Sequence, residues 1–178
     1  MDRTTTGSGS PEPLEFRAFA AAMGRRLVRT AYLLTGGDAH LAEDLAQEAL
    51  GRIYGKWRRI SRLENPAGYA QTVLFHTFLS HRRRRASTEQ VTDRFPETAE
   101  TAVSDPDPAL RVTMLRALGQ LPVQDRAVLV LRFWEDRSVE ETAAVLRLSA
   151  SGVRSRSSRA LERLRAVLGD QLDELPHP

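Results

Sequence analysis

Ser149 to Leu168, SASGVRSRSSRALERLRAVL, decides the fold of this chain. Val153, Ser157, Ala160, Leu161, Leu164 and Leu168 recur at intervals of three and four, the spacing of one apolar stripe along a helix. Ser151, Arg154, Ser155, Ser158 and Arg159 fall off that stripe. Small hydroxyl residues let a backbone approach the bases closely, and arginines bond guanine edges or phosphate oxygens. Just upstream, SVEETAAVLRL reads as a shorter helix, with Leu148-Ser149-Ala150 as the turn between the two. Ser138 followed three residues later by Glu141 is a capping box that opens the shorter helix, and Ser149 caps the longer one. Two helices joined by a tight turn, the second basic and serine-rich, predict a helix-turn-helix whose second helix enters a DNA major groove. The plainer reading of the same pattern is a solvated basic helix packed on its own bundle.

Outward from that motif, Ala109 to Leu121 and Val123 to Trp134 read as helices separated at Pro122. Residues 109–169 thus form one helical unit, and 170–178 a short acidic tail. Residues 86–108 carry three prolines and six acidic residues against one arginine, with no sustained apolar period. This composition predicts a flexible acidic linker and independent motion of what it joins. Residues 14–85 make the other helical unit. Phe16, Phe19, Met23, Leu27, Ala31 and Leu34 give a first helix that Gly36-Gly37 ends. Asp38 caps a second, expected from Ala39 to about Ile60, with Leu41, Leu45, Ala49, Ile53 and Trp57 as its stripe. Asn65-Pro66 opens a third, running to about Arg84, with Tyr69, Val73, His76 and Leu79 on one side. Residues 1–13 hold only Thr, Gly, Ser, Pro and scattered charges, and predict a disordered tail. No strand pattern appears, so the expected class is all-α, in two small helical domains.

The composition narrows the function. The chain has 178 residues, 41% of them hydrophobic, a formal net charge of +3 and no cysteine. Disulfides, thiolate catalysis and cysteine-ligated zinc are excluded. No apolar run is long enough to span a bilayer, and the N-terminus lacks the hydrophobic segment of a secretory signal; the expected location is cytoplasmic, with no membrane partner. His40, His76, His81 and His177 show no ligand spacing and no Glu-x-x-His occurs, so neither a metal nor another cofactor is expected. No convergent acid-base set suggests an enzyme or a small-molecule substrate.

Two surface groups remain. Arg82 to Arg85 end the third helix, which also carries Tyr69, His76 and His81. Basic runs at helix ends are often only solvated and favoured by the dipole, but rings beside them can stack on unpaired bases. Asp44, Gln47 and Glu48 lie together on the second helix. An acidic patch on a basic protein is a docking surface, or merely a solvated face.

These pieces, in this order, resemble the extracytoplasmic-function group of the sigma-70 family of bacterial RNA polymerase sigma factors, nearest to its actinobacterial SigE family. LVRTAYLLTGGDAHLAEDLAQEAL is similar to the family's core-binding segment, whose Asp-x-x-Gln-Glu signature stands here as Asp44-Leu45-Ala46-Gln47-Glu48. NPAGYAQTVLFHTFLSHRRRR resembles the helix that melts and holds the −10 element, and LGQLPVQDRAVLVLRFWEDRSVEETAAVLRLSASGVRSRSSRALERLR resembles sigma domain four. Residues 14–85 then correspond to sigma domain two. The resemblance implies that Asp44, Gln47 and Glu48 dock on the clamp helices of the polymerase largest subunit, and that the flap of the second largest is a further contact. It implies −10 recognition by Arg59, Arg62, Asn65, Tyr69, His76, Arg82, Arg83 and Arg84, with a flipped base held in the loop from Arg59 to Asn65. It implies −35 recognition by Ser151, Arg154, Ser155, Ser158 and Arg159. An anti-sigma protein is a further partner it admits. The chain departs from the family's usual arginines at Gln71 and Thr72, its asparagine at His76, and the Gly-Thr order at Ser151-Gly152. The alternative is a self-sufficient helix-turn-helix transcriptional regulator, which would need neither the acidic patch nor the linker and would usually need a dimer interface.

Overall fold

The computed structural model describes residues 13–88 and 108–172, helical throughout apart from short connections. The N-terminal tail up to residue 12, linker residues 89–107 and residues 173–178 lie outside the described residues. In the first unit, α1 (Pro13–Thr35) turns back into α2 (Ala39–Tyr54). Gly36 and Gly37 adopt φ of +71° and +99°. Their N–H groups donate to Leu33 O and Tyr32 O and so close the end of α1. Asp38 Oδ1 then accepts the Leu41 N–H at 2.9 Å, the cap its residue type predicts.

The second helix is shorter than expected. It stops at Tyr54, and a single turn, α3 (Trp57–Ile60), follows. Gly55 weakens the helix by about 1 kcal/mol relative to alanine, and Lys56 leaves helical geometry at φ −125°. The connection is brief enough that Trp57 and Ile60 still reach the core, where Trp57 packs on Phe16 and Phe19. Helix α4 (Pro66–Thr88) passes the expected end at Arg84 by one turn. Its inward face is also not the expected one. Ala70, Leu74, Phe75 and Phe78 are fully buried, whereas Tyr69, Val73, His76 and Leu79 are half-buried. The two phenyl rings decide which side turns inward, since they bring the largest apolar area.

The second unit comprises α5 (Pro108–Gln120), α6 (Val123–Leu129), α7 (Val139–Leu146) and α8 (Ala150–Leu172), with a wide π-helical turn, Val130–Trp134, continuing α6. The capping box forms in full: Glu141 N–H donates to Ser138 Oγ at 3.0 Å, and Ser138 N–H to Glu141 Oε2 at 2.8 Å. That backbone donor, and then Arg137, hold the Glu141 carboxyl below the usual carboxylate range. Ser149 Oγ accepts the Gly152 N–H at 3.0 Å, as its cap position predicts. Val128, Ala143 and Val153 form the small core between α6, α7 and α8. This is a helix-turn-helix, though its turn begins at Arg147, which takes the left-handed conformation (φ +55°) where glycine is the more usual occupant.

The two units are not independently placed in this structure. Ala127, Val130 and Leu131 of the second unit are buried in the same core as Leu27, Ala31, Leu74 and Phe78 of the first. Around that shared core lies a polar clasp. Glu135 accepts hydrogen bonds from Arg26 Nη2 (2.8 Å), Thr30 Oγ1 and Gln71 Nε2, all from the first unit. Arg126 donates to Leu34 O at 2.7 Å, to Gly119 O at 2.6 Å and to Leu121 O at 3.1 Å. One guanidinium thus caps the C-terminal ends of α1 and α5 together. Burial, and secondarily the charge of Arg82, lower its pKa to about 10, which leaves it charged at neutral pH.

Backbones touch where the units meet. A Cβ added to Gly36 would stand 2.7 Å from Gly119 Cα. With its positive φ as well, Gly36→Ala is expected to destabilise by about 2 kcal/mol. Thermal unfolding by circular dichroism should then show the midpoint lowered by roughly 4–8 °C.

Candidate nucleic-acid interface

The exposed face of α8 follows from its buried one. Val153 and Ala160 are fully buried and Ser157, Leu161, Leu164 and Leu168 half-buried, so the opposite side must face solvent. Ser151, Arg154, Ser155, Ser158 and Arg159 are all exposed on that side. Not every arginine of the helix shares their position. Arg156 Nη1 donates to Asp125 Oδ1 at 2.9 Å and Arg163 Nη1 to Asp125 Oδ2; these two bind α8 to α6. Arg154 and Arg159 are bonded differently: Arg154 makes one long contact to Glu140, at 3.5 Å, and Arg159 turns back to Ser155 O. Both guanidinium groups retain donors for an anion. Arg147, in the turn, and Arg165 are also exposed on this unit; an isolated arginine outside a motif gave no signal that would have selected them.

The expected −10 residues divide into an exposed and a covered group. Arg59, Arg62, Asn65, Arg82, Arg83 and Arg84 are exposed. Asn65 Oδ1 is committed to capping α4 through the Gly68 N–H at 2.8 Å. Along α4, Asn65 and Arg83 lie at opposite ends, ~27 Å apart at 1.5 Å per residue. These residues therefore mark the two ends of a track rather than one point. Between them, Tyr69 is half-buried against the shared core, and His76 Nε2 lies 2.9 Å from Val145 O of α7. His81 Nε2 is buried without a partner. Burial, then Arg85 and Arg84, lower its pKa, so it is neutral at pH 7 and the positive charge of this end belongs to the arginines.

On α2, Asp44 and Gln47 are exposed and Glu48 half-exposed. Glu48 Oε1 accepts from Arg52 Nη2 at 2.6 Å, and its other oxygen lies 3.8 Å from Arg84. The structure therefore brings the acidic patch beside the arginine run, two features separate in the sequence. Among the described residues no group of His, Asp and Glu is placed to hold a metal ion, and no helix is long and apolar enough to cross a membrane. The residues that sequence reasoning missed are those of the clasp: Arg26, Thr30, Arg126, Glu135 and Arg137. Their partners lie 64 to 109 residues away in several cases, a distance over which no local pattern carries a signal.

Comparison with known proteins places these features in order. The family model of Sigma-70 region 2 matches residues 15–88, and that of Sigma-70, region 4 matches residues 117–166. The RNA polymerase sigma-E factor of Streptomyces coelicolor is 37% identical over 157 residues, covering 88% of this chain and 88% of that protein. The ECF RNA polymerase sigma factor SigE of Mycolicibacterium smegmatis is 31% identical over 159 residues, covering 84% of this chain and 60% of its own. Among solved structures, the sigma factor RpoE in its co-crystal with the anti-sigma factor NepR from Bartonella quintana has a similar fold. Its TM-score is 0.67 at 23% identity, over 87% of this chain and 97% of that one.

Proposed function

This chain belongs to the sigma-70 family, in its extracytoplasmic-function group, and from that membership we propose that it is a promoter-specificity subunit: it binds core RNA polymerase, recognises −10 and −35 elements and directs transcription initiation. Residues 14–85 act as domain two, 86–108 as the tether and 109–169 as domain four. The observation that carries this reading is the presence of both sigma regions on one chain, each with an exposed face of the right chemistry. Asp44, Gln47 and Glu48 offer carboxylates and an amide to a complementary surface on the clamp helices of the largest subunit. The flap of the second largest subunit meets domain four.

Each domain then does a distinct job. Arg154 and Arg159 supply donors to duplex phosphates and guanine edges at the −35 element, with Ser151, Ser155 and Ser158 keeping the helix close to the groove floor. Arg59, Arg62 and Asn65 hold one end of the opened −10 strand and Arg82, Arg83 and Arg84 the other, with Tyr69 and His76 offering rings between them. Two modest contacts tethered through one polymerase gain effective concentration at correctly spaced elements. The chain contributes binding and positioning and no catalysis of its own, and it works in the cytoplasm where the polymerase is. An anti-sigma protein is a further partner in this reading.

Permanganate footprinting tests it. Core polymerase with this chain should make −10 thymines reactive on supercoiled promoter DNA, and core alone should not; equal reactivity in both would refute the proposal. A finer check concerns α8. Arg154→Ala is expected to weaken binding of the holoenzyme to a −35 duplex by about 1–3 kcal/mol if it reads a base. If it meets only phosphate, the salt slope should instead fall by about one, which a titration across salt concentrations separates.

A further inference from the structure

We propose that the exposed rings of Phe133 and Trp134, with the arginines around them, form a further nucleic-acid site, one that takes an unpaired DNA strand by stacking its bases and pairing with its phosphates. The site uses none of the residues assigned above to the −10 and −35 elements and rests on neither of those readings.

The local fold explains why two large rings stand in solvent. In the π-helical turn Val130–Trp134, Val130 and Leu131 are buried, whereas Phe133 and Trp134 are 59% and 50% exposed. Glu135 N–H reaches five residues back, to Val130 O at 3.0 Å. The chain then leaves the helix at once, with Asp136 at φ +50°. In a continuing helix, the residues three and four positions further on would lean back over both rings. Here no such turn follows, and the rings are left to water. Wide turns of this kind recur at functional sites.

Each ring carries an arginine. Arg29 of α1 lies over the Trp134 ring, its Cζ 5.9 Å from the centroid, and Arg132 Cζ stands 5.9 Å from the Phe133 centroid. Among the described residues the Arg29 guanidinium has no hydrogen bond and no carboxylate partner, so its donors remain for an anion. Arg25, one turn before it, is exposed. Arg26 spends Nη2 on Glu135 at 2.8 Å, and its side chain is still 54% exposed. The carboxylates beside these four cations are Glu135, buried and committed to the clasp, and the exposed Asp136. The balance is positive.

Rings and guanidinium groups together select the occupant. Every base has a π-face and every nucleotide brings a phosphate, so a single strand meets both features at once. A duplex keeps its base faces stacked inside. An apolar protein surface would meet the rings but bury the guanidinium groups over them without an anion.

Trp134 reports on the site directly. The chain has two tryptophans, of which Trp57 is buried in the core. Titrating the full-length chain with a 12-nucleotide oligothymidylate should quench the tryptophan emission, because a stacked base quenches an indole. The quench should vanish in Trp134→Phe, whose ring keeps a stacking face and most of the affinity. Anisotropy of the fluorescein-labelled strand should show Phe133→Ala with Trp134→Ala weakened by roughly 25-fold or more, about fivefold or more for each stacked base. Both rings are exposed, so circular dichroism should show this variant folded like the parent. Arg29→Ala should flatten the dependence of log affinity on log salt by about 0.7, the value for one phosphate of a single strand. Arg165→Ala, an equal loss of charge at an exposed position of α8, should bind as the parent does. Unchanged emission at a saturating strand concentration, or parental affinity in the folded double variant, would overturn the proposal. If the double variant keeps its strand affinity but no longer co-purifies with core polymerase, the rings dock a protein and the proposal fails.

Discussion

Glu48→Lys is expected to abolish co-purification with core RNA polymerase while leaving the chain folded. In the free protein Glu48 pairs with Arg52 one turn along α2 and lies near Arg84, all at least partly exposed. Exposed pairs of this kind contribute about 0–1 kcal/mol, so the unfolding midpoint should move by only a few degrees. At a protein interface the same reversal places a cation where the partner expects an anion, which costs about 2–5 kcal/mol. That is a weakening of roughly 30-fold or more. Glu15→Lys, an equal change of charge at an exposed position of α1, should co-purify like the parent. Retained binding by Glu48→Lys would mean that the polymerase docks elsewhere on the chain.

Arg126→Met is expected to be strongly destabilising. Methionine keeps the length of the stem and removes every donor. Three backbone carbonyls, Leu34 O, Gly119 O and Leu121 O, then lose their shared partner in a nearly closed space. At about 1 kcal/mol or more for each buried acceptor left unmade, the loss is about 3 kcal/mol. The burial that lowers the pKa of the guanidinium offsets part of what the parent gains from these bonds. The midpoint should fall by roughly 6–12 °C, measured by calorimetry on the full chain. A fall within a degree or two would show that water replaces the guanidinium at these carbonyls.

What the sequence made legible was local. The Ser138 to Glu141 box, the Ser149 cap, the Asp38 cap and the Gly36-Gly37 stop each depend on residues within about one helical turn, and each forms as expected. The stripe of α8 is equally local, so its exposed face was readable as well. Two local readings failed for a common reason. Ile53, Trp57 and Ile60 keep a helical interval across the break at Gly55 and Lys56, so periodicity alone could not reveal the end of α2. In α4 both Tyr69-Val73-His76 and Ala70-Leu74-Phe78 have helical spacing, and only packing against α1 and α2 selects the second. The junction between the units was not legible. Glu135 and Arg126 look in sequence like solvated charges. Their burial depends on Thr30, Gln71 and Leu34, brought near by tertiary folding rather than by spacing. The acidic linker suggested free motion, and its composition holds no information about the apolar faces at its two ends. Gln71 and His76, read from the sequence as departures from the family pattern, both make contacts across that junction.

The central claim is that this chain confers promoter choice on a polymerase that lacks it, and run-off transcription tests this most directly. Core RNA polymerase is incubated with genomic fragments with and without the protein, and the transcripts are sequenced from their 5′ ends. The account predicts discrete start sites present only with the protein, preceded by a shared pair of elements at −35 and −10, and lost with Glu48→Lys. Transcripts that are the same with and without the protein, or no promoter-dependent transcript on any template, would contradict it.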